Sequence, residues 1–283
     1  MTPVSAGATT HSTDGPVAGK PGGSVFGDVT VDVGDDFVAT VEIHRPPNNH
    51  FDVALIRSLA DAYQALDADD GCRAIVLRSE GKHFCAGANF SSRPAGPEPG
   101  LGNGGVDQLY TEAARLFDSR TPVVAEIQGA AIGGGLGLAC SADFRVASPV
   151  ARFAANFAQL GFHQGFALTA TLPPIVGQQR SWEMLFTGRR VSGQEAADIG
   201  LCDRLVGAGE LAGAAHAFAA EIAAAAPLAV ASIRETVRGD LAARVRAATV
   251  REAAEQAKLL PTADFAEGVR ATAERRPPHF EGR

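Results

Sequence analysis

Gly133, Gly134, Gly135 and Gly137 fall in one short stretch, GGGLG, a few residues after a β-like run from Val123 to Ile127. Consecutive glycines between a strand and a helix let a ligand approach the backbone closely. The first turn of the helix then offers N–H groups with no intrahelical partner and a partial positive charge. Such a turn can hold a developing oxyanion without any catalytic side chain. Taken alone, the run also fits a tight turn with close helix packing. A second segment, Lys82-His83-Phe84-Cys85-Ala86-Gly87-Ala88-Asn89-Phe90, follows another strand-like run, Ala74 to Arg78.

The two segments, HFCAGAN and TPVVAEIQGAAIGGGLGLACSADFRVAS, together resemble the enoyl-CoA hydratase/isomerase (crotonase) superfamily. EIHRPPNNHFD, LFTGRRVSGQEAADIGLCDRLV and DFAEGVRATAERRPPHFEGR extend the resemblance, in order, from about Val29 to the C-terminus. It implies an acyl-CoA thioester whose carbonyl is polarised by two backbone N–H groups, here those of Ala88 and Gly134. It also implies contacts to the substrate from Ala86, Gly87, Gly133 and Gly137. No cofactor is implied beyond the CoA moiety of the substrate.

The resemblance also exposes a departure. Hydratases of the family transfer protons with two glutamates, and the positions matching them here are Gly137 and Phe157. A branch that uses an aspartate slightly later meets Gly165 instead. Proton transfer needs a titratable side chain within reach, and His163 is the expectation for that role, with Gln164 to orient a water or a substrate oxygen. Phe157 and Phe166 would make an apolar pocket suited to a bulky acyl group. Arg45, Lys82 and Arg234 are the expected contacts for the CoA phosphates, since they match places where the family often has basic residues. Asp107 and Glu112 are read as a solvated helix face, Glu126 as a structural carboxylate paired with an arginine, and Asn49 and His50 as loop residues near the pocket.

The elements that must position these residues are legible in part. Val29–Val33 and Phe37–Ile43 alternate as a hairpin around Gly34-Asp35. Asp52 caps a helix from Val53 to Leu66, and 72–78 reads as a buried strand. Phe90 to Gly105 lacks a usable period and reads as a mobile loop; Val106–Phe117 follows as an amphipathic helix. The alternation of strands and helices predicts an α/β fold with a mainly parallel sheet. Leu211–Ala226, Leu228–Arg238 and Ala243–Leu259 read as helices. The resemblance refines this to a crotonase-like ββα superhelix with a C-terminal helical trimerisation region. The expected division is a disordered leader over 1–24, a core carrying the acyl-CoA site over 25–205, and a helical region over 206–283.

Bulk composition narrows the function classes. The chain has 283 residues, 46% of them hydrophobic, enough for a large core. A net charge of −7 without a basic block argues against nucleic-acid binding. No apolar run is long enough to span a bilayer, and the first residues lack the apolar core of a secretory signal. The four cysteines follow no metal-ligand spacing and read as buried thiols of a reducing cytoplasm. A homotrimer, or a hexamer built as a dimer of trimers, is expected from the resemblance.

Overall fold

Strands β1 (Ser24–Phe26), β2 (Val29–Val33) and β3 (Val38–Ile43) come first, and in β2 Val29, Val31 and Val33 face the core while Thr30 and Asp32 point outward, which lays the hairpin on that core. A computed structural model describes residues 23–89 and 105–283 of the chain. Most of the leader, 1–22, and the expected loop up to residue 104 lie outside them. Ser24 already belongs to β1, so the ordered sheet starts inside the segment assigned to the leader.

Asp52 accepts the N–H of Leu55 and caps α1 (Val53–Asp67), whose Leu55, Ile56, Leu59 and Tyr63 face the core. β4 (Ala74–Ser79), buried on both faces, pairs in parallel with β3, with Val41 opposite Leu77. Helix α2 (Gly105–Leu116) leads to β5 (Val123–Ile127), parallel to β4 with Ile75 opposite Val123. Short β6 (Ala130–Ile132), α3 (Gly134–Ser141) and β7 (Phe144–Ala147) follow, and β7 returns to pair with β5. Next come β8 (Arg152–Ala154), a 3-10 turn over Ala158–Leu160, α4 (Leu168–Val176), α5 (Gln178–Thr187), β9 (Val191–Ser192), α6 (Gly193–Asp198) and β10 (Arg204–Leu205). The main sheet runs β1-β2-β3-β4-β5-β7-β10, and a small second sheet runs β6-β8-β9.

The C-terminal part is helical as expected: α7 (Leu211–Ala223), α8 (Pro227–Arg238), α9 (Leu241–Leu259) and α10 (Ala263–Glu274). Leu211, Ala215, Ala219 and Ala223 recur every four residues on α7 and pack on Val38, Ala74, Val76, Val124 and Val146. The opposite face of the sheet meets the larger core, built with α1, α2 and α3. Helix α9 lies against α2 and α4, and α10 against the 3-10 turn. Among the described residues no single helix is long and apolar enough to cross a membrane.

Because β4 and β5 are parallel, the chain leaves both at the same end of the sheet, where open α/β sheets place their ligand clefts. Two isolated bridges hold the loops there, Phe51 with Ala88 and Cys85 with Ala131. That arrangement brings the two glycine-bearing segments together.

Candidate active site

Gly133 has φ +57, a left-handed conformation that favours glycine, and its N–H donates to the carbonyl of Ala154 at 2.8 Å. The turn it makes starts α3, so Gly134 is the first helical residue and its N–H has no intrahelical acceptor. Across the gap, the N–H of Ala86 donates to the Asn48 carbonyl at 2.9 Å, and the Gly87 carbonyl accepts from Phe51 at 3.2 Å. Among the described residues, no acceptor takes the N–H of Ala88 or of Gly134. Ala88 and Gly134 line one cavity of about 620 Å³, together with Ala86, Gly87, Gly133, Phe157 and Phe166. Seven of the expected site residues therefore share one space.

Cys85, beside this pair, is a free thiol that burial pushes up to about 12, so it stays protonated. The other three cysteines are also free and buried.

Three expectations fail at the cavity wall. His163 does not line it; its Nδ1 turns to the carbonyl of Gln164 at 2.9 Å, and its own carbonyl accepts from Gln256 at 3.0 Å. Gln164 is buried elsewhere, with Nε2 donating to the Leu185 carbonyl at 2.7 Å. Gly137 lies behind Phe166: a Cβ on it would stand 2.5 Å from the Phe166 Cβ and 2.8 Å from its ring. The Phe166 side chain fills the room that a side chain at 137 would need.

A parallel substitution of space occurs at Gly165. A Cβ there would stand 1.9 Å from the Tyr110 hydroxyl and 2.7 Å from Gln256 Nε2. Tyr110 and Gln256 both line the cavity, and the tyrosine hydroxyl donates to Gln256 Oε1 at 2.9 Å. Burial first, then the charge of Glu252, pushes the Tyr110 hydroxyl well above the ordinary phenol range, so it remains a donor. His50 lines the cavity as well, with Nδ1 3.1 Å from the Gly87 carbonyl. A carbonyl only accepts, so Nδ1 carries the ring proton in the neutral form and Nε2 keeps a free lone pair. Among the described residues that line the cavity, none is an aspartate or a glutamate.

Phe166 and Ala167 both have φ +58, a strained conformation for residues with side chains. Glu252, fully buried on α9, holds them: it accepts the N–H of Ala167 at 2.8 Å, the N–H of Thr169 at 3.1 Å and the Thr169 hydroxyl at 2.6 Å. One turn later, Gln256 donates to the carbonyls of His163 and Gln164. Burial raises the Glu252 carboxyl above its ordinary 4.5 despite these bonds. The folded state therefore binds this proton more tightly than the unfolded chain does. Its contribution to stability is full below about pH 4.5 and is lost as pH rises through the raised folded value. Urea unfolding of the wild type and of Glu252→Gln should thus give a stability difference that moves against the wild type from pH 4.5 upward. A difference moving the other way would mean that the three hydrogen bonds outweigh burial.

The expected phosphate contacts divide. Lys82 is exposed and without an ion-pair partner among the described residues. Arg45 already pairs with Asp28 at 2.6 Å and Asp52 at 3.0 Å. Arg234 is buried, pairs with Asp143 at 3.0 Å and donates to the Ser119 carbonyl, which makes it a tie between α8 and the sheet and not a ligand contact. Glu112 is likewise buried, paired with Arg57 and Arg115, in place of the expected solvated face. Glu126 sits in the field of the Arg78–Glu42 pair, and burial raises its carboxyl.

Comparison with known proteins agrees with this geometry. The family model described as enoyl-CoA hydratase/isomerase matches residues 34–283. A probable enoyl-CoA hydratase of Bacillus subtilis (strain 168) is 33% identical over 254 residues, covering 88% of this chain and 96% of its own. A carnitinyl-CoA dehydratase of Proteus mirabilis (strain HI4320) is 34% identical over 257 residues, 87% of this chain and 95% of its own. Among solved structures, an enoyl-CoA hydratase/isomerase from Pseudoalteromonas atlantica T6c superposes with a TM-score of 0.77 at 30% identity, covering 90% of this chain and 100% of that one. With the glycine turn, the paired loops and the fold in agreement, the chain belongs to the enoyl-CoA hydratase/isomerase family of the crotonase superfamily.

Proposed function

We propose that this protein is an enzyme that holds the carbonyl oxygen of an acyl-CoA thioester between the N–H groups of Ala88 and Gly134 and stabilises the enolate formed there. The observation that carries this reading is the pair of uncommitted N–H groups on two walls of one cavity. Donors preorganised in this way contribute about a hundredfold to a thousandfold each to acyl chemistry. The relatives named as an enoyl-CoA hydratase and a carnitinyl-CoA dehydratase support the same substrate class.

The reaction is of the hydratase/isomerase type without the paired glutamates. His50 takes and returns the proton through Nε2, while the Tyr110 hydroxyl, its one proton given to Gln256, stays neutral on the same cavity wall. Phe157, Leu160, Phe162 and Phe166 line the same cavity and suit the apolar body of a bulky acyl group. These groups fit isomerisation or decarboxylation, which need no activated water, better than hydration or carbon–carbon hydrolysis, which need a water held and deprotonated. The lack of a carboxylate among the described lining residues favours one second reading, a binder of acyl-CoA that turns nothing over. A homotrimer or hexamer in the cytoplasm completes the proposal; exposed Leu228, Ile233 and Val237 on α8 give such an assembly apolar surface to bury.

Mass spectrometry of enoyl- and acyl-CoA thioesters incubated with the protein in heavy water tests this. Deuterium at the α-carbon without net addition of water is the expected result. Addition of water to an enoyl-CoA would establish a hydratase and overturn the preference against hydration. Binding without exchange would leave the second reading.

A further inference from the structure

A second cavity of about 460 Å³ lies beside the first. Its lining includes Arg152, Arg190, Arg276 and His83, and among the described residues no aspartate or glutamate. Arg276 is already committed, through donations to Glu267 and Glu274. Arg152 and Arg190 are exposed, and neither has a carboxylate partner among the described residues. Arg152 gives only Nη1, to the carbonyls of Pro149 at 3.1 Å and Ala151 at 2.7 Å. His83 accepts the N–H of Ala130 on Nδ1 at 3.2 Å, so its ring proton is on Nε2. Partial burial and the neighbouring Lys82 pull its pKa below 6.5, which leaves it a neutral donor at pH 7. Two guanidinium groups with N–H donors to spare and no carboxylate beside them are suited to an anion.

The position of the cavity narrows which anion. Ile132, Asn156 and Thr272 line both cavities and form their shared boundary. Ile132 immediately precedes the glycine turn, and Asn156 Oδ1 lies 3.2 Å from where a Cβ on Gly133 would stand. The boundary is thus next to the oxyanion donors. A thioester held by those donors has its carbonyl near this boundary, within reach of a short acyl chain crossing it, whereas the long pantetheine arm separates the carbonyl from the nucleotide phosphates.

Resting on the thioester reading above, we propose that the second cavity is an anion subsite for the ligand of the first, in which Arg152 and Arg190 hold a carboxylate at the far end of the acyl group. The substrate class is then the monothioesters of dicarboxylic acids. The phenylalanine wall takes the methylene body, and the arginines take its charged end.

Glutaryl-CoA and butyryl-CoA differ by that terminal carboxylate, and calorimetric titration of both into the wild type and an Arg152→Gln/Arg190→Gln double variant tests the subsite. The wild type should bind glutaryl-CoA about tenfold or more tightly than butyryl-CoA, and the double variant should erase the difference while leaving butyryl-CoA unchanged. The matching N-acetylcysteamine thioesters lack the nucleotide and should show the same preference. Equal weakening of both CoA esters, absent with the N-acetylcysteamine esters, would assign the arginines to a nucleotide phosphate and overturn the acyl assignment. Equal binding of all esters with no effect of the substitutions would overturn the subsite and leave the thioester reading intact. Failure of every ester to bind the wild type would strike the thioester reading itself.

Discussion

Gly135→Ala is expected to cost about 3 kcal/mol or more of stability and to abolish α-proton exchange in the protein that still folds. A Cβ on Gly135 would stand 2.1 Å from the Cys85 carbonyl oxygen and 2.8 Å from its carbon. Neither side can retreat. Cys85 is tied on both faces, donating to the Ala130 carbonyl at 2.9 Å and accepting from Ile132 at 3.0 Å, and Gly135 lies in the first turn of α3. Overpacking normally costs about 1–3 kcal/mol when side chains can shift, and here the obstacle is backbone. The same collision separates the two segments that carry Ala88 and Gly134, so catalysis suffers along with stability. Gly213→Ala is the matched control: it sits within α7 with nothing inside 4 Å of an added Cβ, and helix propensity alone should stabilise it by up to about 1 kcal/mol. Urea unfolding of the two variants reads the contrast directly. A Gly135→Ala protein with the wild-type midpoint would mean that the two loops are not held as close as the bridge between Cys85 and Ala131 implies.

The sequence made some of this legible because the relevant information is local. The strand Val123–Ile127, the glycine turn and the start of α3 are contiguous, and each is marked by its own residue types. The β2–β3 hairpin and the Asp52 cap are equally local, and both form where the alternation and the cap residue put them. What the sequence hid is direction and distance. His163 and Gln164 lie on the right segment, but Gln256 holds both of their carbonyls from a distant helix, and their side chains turn away from the cavity. Tyr110 and Gln256 are 146 residues apart, and no spacing rule joins a tyrosine on one helix to an amide on another. Arg234 has the residue type of a phosphate ligand, yet its partner is Asp143, which only the packing of α8 on the sheet brings near.

The bare backbone at 137 and 165 has a structural counterpart that neither position reveals alone. Phe166 fills the first space and the Tyr110 hydroxyl the second, each from another part of the chain. A carboxylate placed at either glycine would meet an occupied site. The polar side chains that line the cavity arrive instead from α2, α9 and the loop before α1.

His50→Gln should lower α-proton exchange by about a hundredfold or more while leaving the affinity for a saturated acyl-CoA nearly unchanged. The Gly87 carbonyl accepts the Nδ1 proton of His50 and so leaves the Nε2 lone pair available within the cavity. The same carbonyl lies one residue before the Ala88 donor, so the imidazole and the oxyanion site are fixed to one short strand of backbone. Glutamine keeps a hydrogen-bonding side chain of similar reach and cannot relay a proton, which separates chemistry from positioning. His163→Ala should leave exchange within about twofold, because its ring faces the Gln164 carbonyl outside the cavity. If His163→Ala abolishes exchange while His50→Gln does not, the proton-transfer role returns to His163, and the segment from 163 to 169 must reorient when a thioester binds.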